Sequence, residues 1–335
     1  MGSVLTDSVY SASQVVEYLE HLGLPPSFHP SANPSLDLSY LTSLFVRQIT
    51  TIPYENLLIH YSPQHAVSLD PQAILTKIIT NRRGRGGYCM ENALLLKHML
   101  HAIGFTDAYT VGVRIRTRID GVPQGDYTGF VHLVIILTLP SDPPSPSPQR
   151  YALDVAFGGD GPTFPMPLIE GLVHHNSIGS QDVRFIRDYL PSQRFRGEGA
   201  ARMWVYQYRN GADKEWNSFY AFSAEFEFME PDFKVMSHFT STSLENPQSS
   251  TVLSILFLRG GGDGEGKGTG KGERVVGKVM MVKGVVKRNV SGKTVVVRTC
   301  VTERERVDAL REYFGIELTE EERVSIRGRV SELRG

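Results

Sequence analysis

A turn built on two glycines, followed at once by a helical pattern, is the local feature that constrains this chain most. Gly86 and Gly87 precede Tyr88 and Cys89, and the apolar residues 93–96 continue a helix. A helix N-terminus offers free N–H groups and the positive end of its dipole, which favour thiolate over thiol. The glycines also leave room for a substrate to approach the sulfur. The turn therefore predicts a reactive thiol, with a buried structural thiol as the alternative.

A histidine and an aspartate lie in two runs that read as buried strands. His132 stands within residues 127–137, and Asp154 stands within residues 151–159. A buried imidazole N–H needs a hydrogen-bond acceptor, and a buried carboxylate without a partner costs stability. If the two strands are neighbours, the imidazole and the carboxylate can pair with each other and avoid both costs. Asp154 then accepts from His132, and His132 takes the proton of Cys89.

The residues alone leave the meaning of this pairing open. A Cys–His–Asp arrangement predicts covalent catalysis, and cysteine hydrolases of the transglutaminase or papain kind use the same chemistry. A catalytically silent binding protein could also carry these side chains. A structural Asp–His pair beside an unrelated Cys89 is the further alternative. Spacing in the sequence does not distinguish these interpretations.

Periodicity divides the chain into helical and strand-rich parts. Residues 8–104 are mostly helical in pattern, with helices at 13–22 and 39–50, an N-cap at Asp70, and a helix from Cys89 that stops at Gly104. Short strands with turn signals then predict a small barrel. The strands predicted for this barrel are 109–119, 130–139, 150–156 and 203–209. Residues 220–300 are predicted to mix a short helical stretch with strands at 252–259, 274–282 and 294–301. A closing amphipathic helix follows at 301–314, and a second helix follows Thr319.

Six segments, in order along the chain, resemble the arylamine N-acetyltransferases. Residues 51–57 resemble the family's Ile-Pro-Phe-Glu-Asn-Leu segment, with Tyr54 in place of Phe. Residues 85–92 are similar to its Arg-Gly-Gly-x-Cys-x-Glu-x-Asn motif, with Asn one position early. The other four segments are 128–132, 154–158 (with Ala156 where Gly is usual), 237–240, and the tail from 299 to 316.

The resemblance implies an α+β fold in three parts around a cysteine-protease-like core. These would be an N-terminal helical bundle at 1–107, a β-barrel at 108–215 and an α/β lid at 216–335. It implies ping-pong transfer of an acyl group, acetyl first, from acyl-coenzyme A to an arylamine or hydrazine, as in xenobiotic metabolism. The implied catalytic residues are Cys89, His132 and Asp154. Thr128, Gly129, Ser237 and Thr240 would contact the coenzyme, and Tyr54, Phe130, Phe157 and Phe239 would line the amine pocket. Arg85 and Glu91 are expected to pair and hold the motif.

Composition excludes several other classes of protein. A net charge of −1 argues against general nucleic-acid binding, and two cysteines do not form a disulfide framework. Cys300 reads as a small core residue. No His/Cys cluster has metal-ligand spacing, no apolar run could span a bilayer, and no signal-peptide pattern opens the chain. We therefore expect no metal, no membrane partner and a cytoplasmic location.

The acyl group, the preferred amine and the oligomeric state stay open at this level. Acetyl-CoA, propionyl-CoA and malonyl-CoA differ by a few atoms, and a malonyl donor needs a positive or donor-rich contact that the sequence does not locate. Residues 260–272 form a Gly/Lys-rich segment that reads as a flexible linker. Whether this segment contacts the coenzyme phosphates is likewise open.

Overall fold

A computed structural model describes residues 8–119, 121–140, 147–260 and 274–335. Within these ranges the chain forms a mixed α+β fold with two antiparallel sheets and a group of helices. The helices are α1 (Ala12–His21), α2 (Leu38–Thr51), α3 (Leu57–Tyr61), α4 (Pro71–Leu75), α5 (Cys89–Ile103), α6 (Glu230–Thr242), α7 (Pro247–Ser250), α8 (Glu303–Phe314) and α9 (Glu320–Ser325). The prediction on residues 260–272 lies almost wholly outside the described residues, which stop at Gly260 and resume at Arg274.

The N-terminal helices begin at polar side chains that cap them. Ser11 caps α1, Asp37 caps α2, and the predicted Asp70 accepts from Ala73 N–H at 2.8 Å to cap α4. Helix α5 ends at Gly104, as the sequence predicts, with a φ of 123°. Buried side chains of α1, α2 and α5 form one core together with the neighbouring face of the larger sheet.

The larger sheet has eight strands, which curl around a second core. Its strands are β2 (Ala108–Ile119), β3 (Val122–Leu139), β4 (Gln149–Leu153), β5 (Met166–Pro167), β6 (His174–His175), β7 (Gln181–Asp188), β8 (Met203–Asn210) and β9 (Asn217–Phe222). Their order is β5-β4-β3-β2-β9-β8-β7-β6, so β5 and β6 are the edges. The predicted closed barrel is therefore corrected, over the described residues, to a curled open sheet.

Strand β3 lies between the two cores, which explains its unbroken apolar sequence. Leu133 and Ile135 face the helices, whereas Val134 and Ile136 face the interior of the sheet. Because successive strand residues point to opposite faces, a strand buried on both sides reads as a continuous apolar run. By the same alternation, the His132 side chain points to the face of β3 that packs on the second core.

The smaller sheet joins the N-terminal part of the chain to the C-terminal part. Its order is β1-β10-β11-β12-β13, with β1 (Tyr54–Glu55), β10 (Leu253–Gly260), β11 (Arg274–Val282), β12 (Val285–Val290) and β13 (Lys293–Thr299). Helix α8 packs on this sheet around a third core that includes the buried Cys300. The strands β5, β6, β7, β9 and β12 were not predicted, and β9 extends the larger sheet beyond residue 215. The three-region division itself stays a prediction.

No helix among the described residues is long and apolar enough to cross a membrane.

Candidate active site

Cys89 is the first residue of α5, and its side chain is buried. As a thiol it donates to the carbonyl of Val131 on β3, at 3.7 Å. The two glycines before it are required by close packing of the turn. A Cβ on Gly86 would lie 1.7 Å from the Pro53 carbonyl oxygen, and one on Gly87 would lie 2.5 Å from the Glu91 Cβ. The glycines therefore let the turn pack against its neighbours.

The side chains of His132 and Asp154 contact each other, as the sequence predicts. The hydrogen-bonded pairing of β3 with β4 lies further along β3 than His132. Nε2 of His132 lies 3.1 Å from each carboxylate oxygen of Asp154, and both side chains are buried. The N–H of Ala156 also donates to Asp154, at 3.2 Å. The carboxylate therefore holds the imidazole in one orientation at the inner face of the sheet.

The surroundings of His132 favour its protonated form. Burial alone lowers the pKa of His132, but the charge of Asp154, their hydrogen bond and a further hydrogen bond to Cys89 together raise that pKa to about 10. An imidazolium between a carboxylate and a sulfur atom stabilises negative charge on that sulfur. The charge of Asp154 therefore favours a charged ring at His132, the residue next to Val131, whose carbonyl accepts from Cys89.

Two further tyrosines lie beside this group, and neither was predicted as a site residue. Tyr220 on β9 is fully buried, and after burial the charge of Asp154 is the largest cause that raises the pKa of its hydroxyl. Tyr88, next to Cys89, has its hydroxyl 2.5 Å from Oγ of Ser237 on α6. Tyr220 comes from an apolar run, where sequence alone cannot distinguish a site residue from a core residue.

The predicted pocket residues do not all gather at the three side chains. Phe157 packs on His132 with 5.3 Å between ring centroids, and Tyr54 lies in β1 beside the glycine turn. Phe130 instead packs against Phe228 and lines a separate cavity of about 530 Å³ that contains none of the three. Phe239 is 44% exposed on α6. The structure therefore places Phe157 against His132 and Tyr54 at the glycine turn, and the pocket role of all four residues stays a prediction.

The four residues predicted to contact a coenzyme lie on two elements beside α5. Thr128 and Gly129 belong to β3; the Thr128 hydroxyl accepts from Ile115 N–H at 3.1 Å, and Gly129 is exposed. Ser237 and Thr240 are buried one helical turn apart on α6. The Thr240 hydroxyl has no hydrogen-bond partner among the described residues. Their role in binding a coenzyme stays a prediction.

Arg85 and Glu91 are both buried, but the expected pairing between them is wrong. Arg85 binds Glu55 at 2.9 Å and Glu322 of α9 at 2.7 Å. Glu91 binds Lys77 at 2.5 Å and accepts from the Tyr88 N–H at 3.2 Å. Sequence spacing favoured the near partner, whereas the fold brings Glu322 from the far end of the chain.

The C-terminal segment is fastened to the residues just before the glycine turn. Arg83 also binds Glu322, at 2.6 Å, and its carbonyl accepts from the Glu317 N–H at 2.9 Å. Gly84, with a φ of 64°, approaches Gly315 so closely that a Cβ would lie 2.0 Å from the Gly315 carbonyl oxygen. These contacts fix the approach of the backbone to Cys89.

Replacing Glu322 with Gln is expected to lower the free energy of unfolding by about 2 to 3 kcal/mol, because two guanidinium groups lose a shared, largely buried anion. Urea denaturation measures the change. Glu321→Gln, an exposed carboxylate on the same helix, is the matched control and should change stability by less than about 0.5 kcal/mol. Equal effects from the two variants would contradict a special role for Glu322.

Comparison with known proteins agrees with the fold. Residues 37–323 match the N-acetyltransferase family model. The structure superposes on the arylamine N-acetyltransferase of Mycobacterium abscessus with a TM-score of 0.72, at 22% identity over 95% of each chain. It also superposes on the Mycobacterium marinum enzyme in complex with CoA with a TM-score of 0.68, at 21% identity over 95% of this chain and 99% of the other.

Curated relatives give the same class of enzyme. The N-malonyltransferase FDB2 of Gibberella moniliformis is 32% identical over 95% of this chain and 92% of its own length. Arylamine N-acetyltransferase 1 of Homo sapiens is 27% identical over 68% of this chain and 71% of its own length. The fold and the matches define an acyltransferase. The chain belongs to the arylamine N-acetyltransferase family.

Proposed function

We propose that the protein transfers an acyl group from acyl-coenzyme A, through a thioester on Cys89, to the amino group of an arylamine or hydrazine. One observation carries the proposal: a buried His132 ring is held by both oxygens of Asp154 at 3.1 Å, and a cysteine at a helix start donates to the carbonyl of the adjacent Val131. The names of the relatives support both the acyl chemistry and the arylamine acceptor.

In the first half-reaction the Cys89 thiolate attacks the thioester carbonyl carbon. The carbonyl oxygen becomes an oxyanion, which free N–H groups at the start of α5 can stabilise. When the tetrahedral intermediate collapses, the bond from carbon to coenzyme sulfur breaks and His132 gives its proton to that sulfur. One thioester replaces another, so the step is nearly balanced in free energy and the acyl-enzyme is accessible.

In the second half-reaction the amine attacks the acyl carbon and His132 takes the proton that the nitrogen loses. The carbon–sulfur bond to Cys89 breaks, which restores the thiolate and the imidazolium. Asp154 holds the ring orientation and stabilises the charged ring in both halves. Because the coenzyme leaves before the amine reacts, the kinetics are ping-pong.

Incubation with acyl-coenzyme A, in the absence of amine, is expected to leave one acyl group on Cys89. Intact-mass spectrometry measures the adduct with acetyl-CoA, propionyl-CoA and malonyl-CoA in turn, and an arylamine added afterwards should discharge it. Cys300→Ala is the matched control, since it removes the other cysteine and should keep the adduct. Discharge by water as fast as by amine would favour a cysteine hydrolase, and no adduct from any donor would favour a silent binding protein.

A further inference from the structure

Tyr54 brings a hydroxyl to a position where the family's motif has a phenylalanine. Its backbone bridges to Gly87 in the turn before Cys89, and the next residue, Glu55, donates its N–H to the Gly87 carbonyl at 3.0 Å. The ring is half-buried and packs against the first core. Tyr54 is therefore tied to the same turn that presents the nucleophile.

A relay of hydrogen bonds determines which way the Tyr54 proton points. The N–H of Leu253 donates to Oδ1 of Asn56 at 2.8 Å, so Nδ2 of Asn56 faces Oε1 of Gln248, at 3.0 Å. Nε2 of Gln248 then donates to the hydroxyl oxygen of Tyr54, at 2.5 Å. Since that oxygen already accepts, its own proton points elsewhere, and none of the described residues accepts it.

The unused proton belongs to a residue whose backbone bridges to Gly87, two residues before the cysteine that would carry the acyl group. Burial is the largest cause that raises the pKa of Tyr54, and the charge of Cys89 is the next, which requires the hydroxyl to be within electrostatic range of the sulfur. The charges of Glu91 and Asp154 also raise that pKa. Each carboxylate has a cationic partner, Lys77 for Glu91 and His132 for Asp154. An additional anion in the site would therefore not face an unpaired negative charge.

We propose that Tyr54, oriented by Gln248, donates its hydroxyl proton to the free carboxylate of a malonyl group, so that the protein selects a malonyl over an acetyl donor. The inference rests on the proposed transfer through Cys89. An acetyl group ends in a methyl, which cannot accept this proton and leaves a buried donor unsatisfied. A malonyl carboxylate accepts it in a charge-assisted hydrogen bond.

The test compares kcat/KM for malonyl-CoA and acetyl-CoA with one arylamine. In Tyr54→Phe the malonyl-to-acetyl ratio is expected to fall about 10- to 100-fold, because a hydrogen bond to a charged group is lost. Gln248→Glu keeps the Tyr54 hydroxyl but replaces the amide that donates to it with a carboxylate, which accepts. The Tyr54 proton would then point to residue 248 and not to the malonyl group, so the malonyl-to-acetyl ratio should fall here too. Tyr10→Phe is the control: its hydroxyl donates to the Pro71 carbonyl at 2.8 Å, and the ratio should stay at the wild-type value.

The outcomes separate this inference from the proposed function. A wild-type protein that transfers neither group overturns the proposed function and this inference with it. Transfer by the wild type with the same donor ratio in Tyr54→Phe overturns only the role of Tyr54. Equal losses of kcat/KM with both donors would indicate that the Tyr54 hydroxyl stabilises the oxyanion of the intermediate. That result would overturn its assignment to the malonyl carboxylate. Thermal melting checks that each variant folds. If Tyr54→Phe does not fold, Gln248→Glu provides the test.

Discussion

Replacing Cys89 with alanine is expected to reduce acyl transfer by at least about 10⁴-fold, because the covalent route loses its nucleophile. The fold should survive, since the change removes one buried sulfur atom from the start of α5 and leaves the contacts of Gly86 and Gly87 in place. Steady-state kinetics with saturating acyl-coenzyme A measures the loss, and circular dichroism checks the fold.

Cys300→Ala is the control for loss of a buried sulfur without loss of the nucleophile. Cys300 lies in the third core, against α8, and its replacement should leave transfer within about threefold of the wild type. A Cys89→Ala protein with activity within about tenfold of the wild type would contradict the covalent scheme, because general-base catalysis alone does not replace a nucleophile.

Replacing Asp154 with asparagine is expected to lower activity by about 10³- to 10⁴-fold. The amide keeps the size of the carboxylate, but it has no charge to hold the imidazolium that both half-reactions use. Alkylation of Cys89 by iodoacetamide near neutral pH should slow in parallel. Asp182→Asn is the control, because Asp182 is ion-paired to Arg209 on the outer strands and does not contact His132 or Cys89.

The pH dependence of stability gives an independent test of the same pair. The pKa of His132 is raised from 6.5 to about 10 in the folded protein, so its proton contributes stability that is fully present below about pH 6.5. That stability is lost as the pH rises through 10. The melting temperature of the wild type should therefore fall between these values. In Asp154→Asn the fall should be much smaller or absent, because the charge that raises the pKa of His132 against burial is gone. An identical pH profile in the two proteins would show that Asp154 does not hold the charge.

Local chemistry made part of this site predictable from the sequence. Capping residues such as Asp70, and the terminating Gly104, mark helix ends because they satisfy free backbone groups within one turn of the chain. The pairing of His132 with Asp154 was predictable for a related reason: burial of either group alone is costly, and no nearer partner exists in either strand.

Other features depend on where strands lie in space, and no local pattern encodes that. Alternating and continuous apolar runs predict strands, but a sheet closes into a barrel only if its two edge strands pair with each other. In the described residues β5 and β6 stay unpaired with each other. Phe130 and Phe157 are both aromatic residues in predicted strands. The fold brings Phe157, which follows β4, into ring contact with His132, whereas the ring of Phe130 packs against Phe228.

The sequence by itself determined that His132 and Asp154 would be partners, since burial of either group alone is costly, and it predicted Cys89 as the nucleophile that they serve. Tertiary structure alone decided the partners of Arg85 and the direction of the Tyr54 proton. Glu322 and Gln248 reach the glycine turn from the C-terminal part of the chain, 237 and 194 residues away from Arg85 and Tyr54. The physical reason is that a hydrogen bond acts over about 3 Å, so its direction is known only when the packing has brought both groups together.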